Sequence, residues 1–213
     1  MRRSVRIFWS IFFIGLLSFI LLVLLANFGV FGKMPSIAEL ENPTIMQSSQ
    51  VYASDGTLMG KYFLPSGNRT IVKYKDISPN VVNALVATED KRFYDHSGID
   101  IKGTLRAIFS LGSAGGGSTI TQQLALALFN KRATNPFQRV MQKLKEWIIA
   151  VKLERNFTKE EIVALYLNAV SYPDNLFGIR NASKKKKKKE PDRLTVSEAA
   201  VLVGSINGPG IYN

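Results

Sequence analysis

From Ile7 to Gly32 no residue carries a charge, and this stretch limits what the chain can fold into more than any other. Its centre reads Phe-Ile-Gly-Leu-Leu-Ser-Phe-Ile-Leu-Leu-Val-Leu-Leu-Ala. About 20 predominantly apolar residues in a row cross the hydrocarbon of a bilayer as a helix. A cleaved leader would carry a shorter apolar region, about 7–15 residues, closed by a small-x-small site. This run is longer and no clear site follows it, so it reads as a retained anchor. Arg2, Arg3 and Arg6 precede it, which places the N-terminus in the cytoplasm and everything after Lys33 across the membrane.

Charge and composition narrow the partners of the remainder. The net charge is +12, and half of it comes from one run, Lys184 to Lys189. Basic chains favour polyanions, anionic lipid or phosphorylated substrates. No RNA- or DNA-binding signature accompanies the charge, which sets nucleic acid aside. With no cysteine there are no disulfides, thiolate metal sites or cysteine nucleophile. The single histidine, His96, leaves no basis for a multi-histidine zinc site.

Beyond the anchor, residues 33–49 read as a linker containing Pro35 and Pro43. Gln50 to Phe63 reads as a hairpin, with Asp55-Gly56 as its turn. Ser78-Pro79 opens a helix with a hydroxyl cap followed by proline at its first position. Val82, Leu85 and Val86 form one apolar face of it, and Glu89 falls on that same face. Either this acid ends the helix and reaches solvent, or it lines a cleft, where it would suit proton transfer near neutral pH. Ser110 to Gly117 is a Gly/Ser/Ala loop. Ser118 to Gln123 then leads into an apolar helix ending near Asn130. A hydroxyl-rich helix start offers backbone N–H groups and a positive dipole end, a seat for phosphate. It is not a Walker loop, since no Gly-Lys-Ser/Thr follows the glycines.

Phe137, Val140, Met141, Leu144, Trp147, Ile148 and Val151 recur with helical period and predict an amphipathic helix. On that wheel Glu146 lies away from the stripe, on the solvated side. Thr158-Lys-Glu-Glu161 and Thr195-Val-Ser-Glu198 read as capping boxes opening two further helices. Six like charges in a row repel and build no core, so Lys184 to Lys189 predict a mobile surface or a contact with anionic lipid.

Two dense motifs carry a family resemblance. Glu89-Asp90-Lys91-Arg92-Phe93-Tyr94-Asp95-His96-Ser97-Gly98 matches Glu-Asp-x-x-Phe-x-x-His-x-Gly. Ser118-Thr119-Ile120-Thr121-Gln122-Gln123, preceded by glycines, matches Gly-x-Ser-Thr-x-Thr-Gln-Gln. Together they resemble glycosyltransferase family 51, the peptidoglycan glycosyltransferase domain of class A penicillin-binding proteins and of monofunctional enzymes. The likeness runs from about residue 45 to 213. Its third motif, Arg-Lys-x-x-Glu, reads Gln142-Lys143-Leu144-Lys145-Glu146 here, without the arginine. A lysine usual soon after Gln-Gln is Leu126, for which Arg139 or Lys131 would have to substitute.

The resemblance implies a mainly α, lysozyme-like domain over 50–213, with a small β-hairpin element and a membrane-dipping part. It sits behind a cytoplasmic tail (1–6), a transmembrane helix (7–32) and the linker, with a transpeptidase domain missing from the far end. The implied reaction polymerises lipid II into glycan strands with inversion and release of polyprenyl diphosphate. By resemblance, Glu89 is the general base and Glu146 the second acid. Lys143 contacts the diphosphate, and Ser118, Thr119, Gln122 and Gln123 shape the donor site. Asp90, Arg92, Phe93 and His96 support the first motif and its substrate. The metal ligands are unknown, and a divalent metal (Mg or Mn) at the diphosphate is the one cofactor left open. The implied partners are lipid II, the growing strand, the bilayer and other cell-wall synthesis proteins. The implied location is the bacterial inner membrane, with the domain on the outer face. The competing readings are a glycan-cleaving enzyme of related fold, a lytic transglycosylase or lysozyme-like hydrolase, and a non-catalytic membrane scaffold.

Overall fold

The computed structural model describes residues 2–30, 32, 34–41, 49–62, 69–110, 116–129 and 133–207. The chain is mainly helical. Helix α1 (Arg2–Asn27) begins inside the basic tail and stops five residues short of Gly32. Gly29 takes a left-handed φ of 79°, which ends the helix. The short α2 (Ile37–Glu41) follows. Strands β1 (Ser49–Tyr52) and β2 (Leu58–Tyr62) form the expected antiparallel hairpin. Gly56 turns at φ 82°, and Asp55 Oδ1 accepts from Thr57 N at 2.8 Å. Phe63 lies outside the described residues.

Helix α3 (Pro79–Glu89) starts as its sequence predicts, with the Ser78 hydroxyl accepting from Asn80 N at 3.3 Å. Then come α4 (Ile101–Phe109), α5 (Ile120–Phe129), α6 (Pro136–Asn156) and α7 (Lys159–Ala169). A second antiparallel pair, β3 (Ser171–Tyr172) and β4 (Leu176–Phe177), precedes α8 (Ile179–Lys187) and α9 (Val196–Asn207). Helix α5 lies between α6 and α7, and α3 lies along α9. Leu85, Phe93, Leu124, Leu153, Ile162 and Tyr166 are fully buried where these helices meet. Each such side chain contributes roughly 1.5–3 kcal/mol relative to exposure.

The buried face of α6 differs from the predicted stripe. Met141, Leu144, Glu146, Ile149, Ala150 and Leu153 are buried, whereas Phe137 and Val140 are exposed. The helix has two neighbours. Its middle meets the end of α1, where Ala26, Met141 and Leu144 cluster with Leu22, Val23, Trp147 and Ile148. Helix α5 covers another side. A single stripe read from period could not represent two covers.

The lysine run forms the end of a helix and carries ion pairs. Lys184 pairs with Glu190 at 2.6 Å, Lys186 with Asp174 at 2.5 Å, and Lys189 with Glu198 at 2.8 Å. Four of the lysines occupy the last turn of α8, where the helix dipole favours cations.

Candidate active site

Glu89 is the last residue of α3, and the chain leaves the helix at Asp90. Asp90 turns inward. Its Oδ2 accepts from Ile120 N at the start of α5 at 3.1 Å, and both its oxygens lie 3.1 Å from His96 Nε2. Phe93, with no exposed surface, packs beside His96 at a ring separation of 6.3 Å. Gly98 holds a φ of 89°, and a Cβ there would lie 2.9 Å from the backbone of Ala150. Its carbonyl accepts from Thr119 Oγ1 at 2.8 Å and from Gln122 Nε2 at 3.1 Å. The first and second motifs therefore clamp each other through backbone groups.

That clamp leaves Glu89 on the wall of a cleft of about 420 Å³. Thr88, Lys91, Arg92, Arg106, Ser118 and Gln123 line it with Glu89. Gln123 Nε2 donates to Glu89 Oε2 at 2.9 Å. The other end of that amide, Oε1, accepts from the Tyr166 hydroxyl at 2.9 Å. Arg92 meets Asp100 at 2.5 Å across the same wall, and Asp100 also caps α4 through Gly103 N. Burial disfavours the charged form of Asp100. The hydrogen bonds from Arg92 and Gly103 and the Arg92 charge outweigh it and hold the carboxyl below its ordinary range.

Ser118 connects this cleft to α6. Lys143 Nζ donates to Ser118 Oγ at 2.7 Å and to Glu146 Oε2 at 3.1 Å. Glu146 is only 6% exposed, so the solvated position expected from period alone is corrected. Lys143, one turn earlier on α6, compensates its charge.

The structure thus brings Glu89, Arg92, Ser118, Thr119 and Gln123 to one cleft, and Lys143 and Glu146 reach it through Ser118. Asp90 lines its floor while tied to α5. Phe93, His96 and Gln122 do not line it; they brace the wall from behind. At the start of α5, where a phosphate seat was expected, two backbone donors, Ile120 N and Gln122 N, are already engaged. Asp90 already places a carboxylate there, and Thr119 Oγ1 accepts from Gln122 N at 3.2 Å. Neither Leu126 nor Arg139 lines the cleft, and Lys131 lies outside the described residues. Tyr166 escaped the sequence reading because it stands 43 residues from Gln123 with no local signal linking them.

Among the described residues no group of three or more His, Cys, Asp or Glu side chains converges to hold a metal ion. Glu146 meets an ammonium group instead.

Comparison with known proteins identifies the family. The transglycosylase family model matches residues 55–213. The chain is 36% identical over 185 residues to penicillin-binding protein 1A of Escherichia coli K12, covering 85% of this chain and 21% of that protein. It is 36% identical over 205 residues to penicillin-binding protein 1A of Aquifex aeolicus, covering 94% and 26%. It is 39% identical over 144 residues to penicillin-binding protein 2a of Streptococcus pneumoniae, covering 68% and 19%. The chain thus spans about a fifth to a quarter of the length of these relatives. With the family model matched across most of its length and identities above a third to class A penicillin-binding proteins, the chain belongs to the transglycosylase family, glycosyltransferase family 51.

Proposed function

We propose that the chain is a membrane-anchored peptidoglycan glycosyltransferase that polymerises lipid II into glycan strands. The observation that carries this reading is Glu89 on the cleft wall, hydrogen-bonded to Gln123, with the Ser118–Lys143–Glu146 chain reaching the same cleft. Glu89 takes the proton from the acceptor 4-hydroxyl as it attacks the anomeric carbon of the lipid-linked strand, with inversion. The bond from that carbon to the diphosphate breaks, and polyprenyl diphosphate leaves. Lys143 supplies positive charge where the leaving oxygen gains negative charge, and buried Glu146 keeps that ammonium in place. Arg92, held by Asp100, adds a second cation on the Glu89 side.

The membrane reading rests on length. Among the described residues one helix, Arg3–Asn27, is long and apolar enough to cross a membrane. Its last turns, Leu22 to Ala26, pack on α6. The uncharged stretch before them, Ile7 to Leu21, covers about 22 Å, less than the roughly 30 Å of bilayer hydrocarbon. The first turns of α6, just before its contact with α1, then sit at the bilayer boundary, where exposed Phe137 and Val140 meet lipid. Ile101, Leu105, Ile108 and Phe109 form an exposed apolar face of α4 that fits the same environment. Residues 1–6 face the cytoplasm, 7–32 anchor, 33–49 link, and 50–213 form the catalytic domain on the outer face of the inner membrane.

The test incubates the purified chain with lipid II in detergent–phospholipid micelles. Polymer with released polyprenyl diphosphate supports the reading. Shortened strands from mature wall would make it a cleaving enzyme, and undiminished polymer from Glu89→Gln would remove Glu89 as base.

A further inference from the structure

Tyr166 stands on α7, outside the motifs that mark the site, and has no exposed surface. Its hydroxyl donates to Gln123 Oε1, and the same amide donates through Nε2 to Glu89 Oε2, each at 2.9 Å. A primary amide has one accepting end and one donating end. A phenol that donates to the accepting end decides which end meets the carboxylate. Turned over, the amide would set its carbonyl oxygen against the oxygen of Glu89. Burial, and after it the Glu89 charge, push the Tyr166 phenol well above its ordinary range, so it remains an O–H donor wherever the enzyme works.

Resting on the reading of Glu89 as base, we propose that Tyr166 is a positioning residue, orienting the Gln123 amide so that the Glu89 carboxylate is directed into the cleft. A general base must present an oxygen to the proton it removes, so the direction of the carboxylate decides whether it meets the acceptor hydroxyl. Tyr166 touches neither substrate in this arrangement and acts only through Gln123. The other charged groups on the cleft wall are Asp90, Lys91, Arg92, Asp100 and Arg106.

The experiment measures kcat and KM against pH for lipid II polymerisation by the full chain. The variants are Tyr166→Phe, Gln123→Leu and the pair combined, with Glu89→Gln as reference. Tyr166→Phe keeps the ring and removes only the hydroxyl. It is expected to lower kcat roughly 10-fold, the scale of one hydrogen bond serving a charged group, with KM within about twofold. The combined variant is expected to be no slower than Gln123→Leu alone, since both changes cut one relay. A purely structural tyrosine would multiply its loss with that of Gln123→Leu, and that result overturns the proposal. Gln123→Leu is expected to lower kcat at least as far as Tyr166→Phe. An unchanged kcat there overturns the proposal even where Tyr166→Phe does not fold. An active Glu89→Gln removes the base reading itself, whereas an inactive one beside an unaffected Tyr166→Phe removes only the role of Tyr166.

Discussion

Asp90 Oδ2 and the backbone N–H of Ile120 lie 3.1 Å apart, so the residue after Glu89 closes the N-terminus of α5. The same carboxylate holds His96 Nε2. Asp90→Ala strips an acceptor from two buried donors and removes the anion at a positive helix end. Its expected cost is about 3 kcal/mol in chemical denaturation, together with a fall in kcat as the turn carrying Glu89 loosens. Asp90→Asn keeps one accepting oxygen and is expected to cost about half as much. An unchanged denaturation midpoint for Asp90→Ala would refute this role.

Lys143 and Glu146 make a second paired prediction. Lys143→Ala leaves the Glu146 carboxylate, 8% exposed in its side chain, without its ammonium partner. Stability is expected to fall by about 2 kcal/mol and polymerisation about 100-fold, because the cation for the leaving diphosphate is lost as well. Changing both residues, Lys143→Met with Glu146→Leu, is expected to restore much of the stability and none of the activity. Denaturation and lipid II turnover on the same samples separate the two effects.

The exposed face of α4 gives a membrane prediction. Leu105→Ser with Phe109→Ser removes two large apolar side chains, the second 83% exposed. The fold is expected to keep its melting temperature, since neither side chain is in the core. Turnover in liposomes is expected to fall by more than turnover in detergent. Equal losses in both would place this face away from lipid.

Glu198 gives the pH prediction. The hydrogen bond from Lys189, followed by that from Thr195 N, lowers its carboxyl from 4.5 to about 2. A carboxyl depressed in the folded state stabilises the fold fully above its unfolded value and loses that contribution as pH falls through the folded one. The difference in melting temperature between wild type and Glu198→Gln is therefore expected to be complete at neutral pH, to shrink below about 4.5 and to vanish near pH 2. A difference that persists at pH 2 would show that the contact does not depend on charge.

Local signals were legible wherever a few neighbouring residues settle the outcome. Ser78-Pro79 starts α3 as written, Thr158 and Glu161 cap α7 reciprocally, and Asp55-Gly56 turns the hairpin. The two-residue strands β3 and β4 went unread, because they are too short to show a period. The two motifs named Glu89, Ser118 and Gln123, and the fold brings all three to one cleft.

By itself the sequence determined the long apolar α1, the capped helices and the chemical types at the cleft, since capping, turn formation and hydropathy act within a few residues. Tertiary structure alone decided that Glu146 is buried against Lys143, that Asp90 fills the end of α5, and that Tyr166 reaches Glu89 through Gln123. The reason is physical. Burial and hydrogen-bond partnership depend on which face of a helix another helix covers, and that is set by packing between segments far apart in the chain.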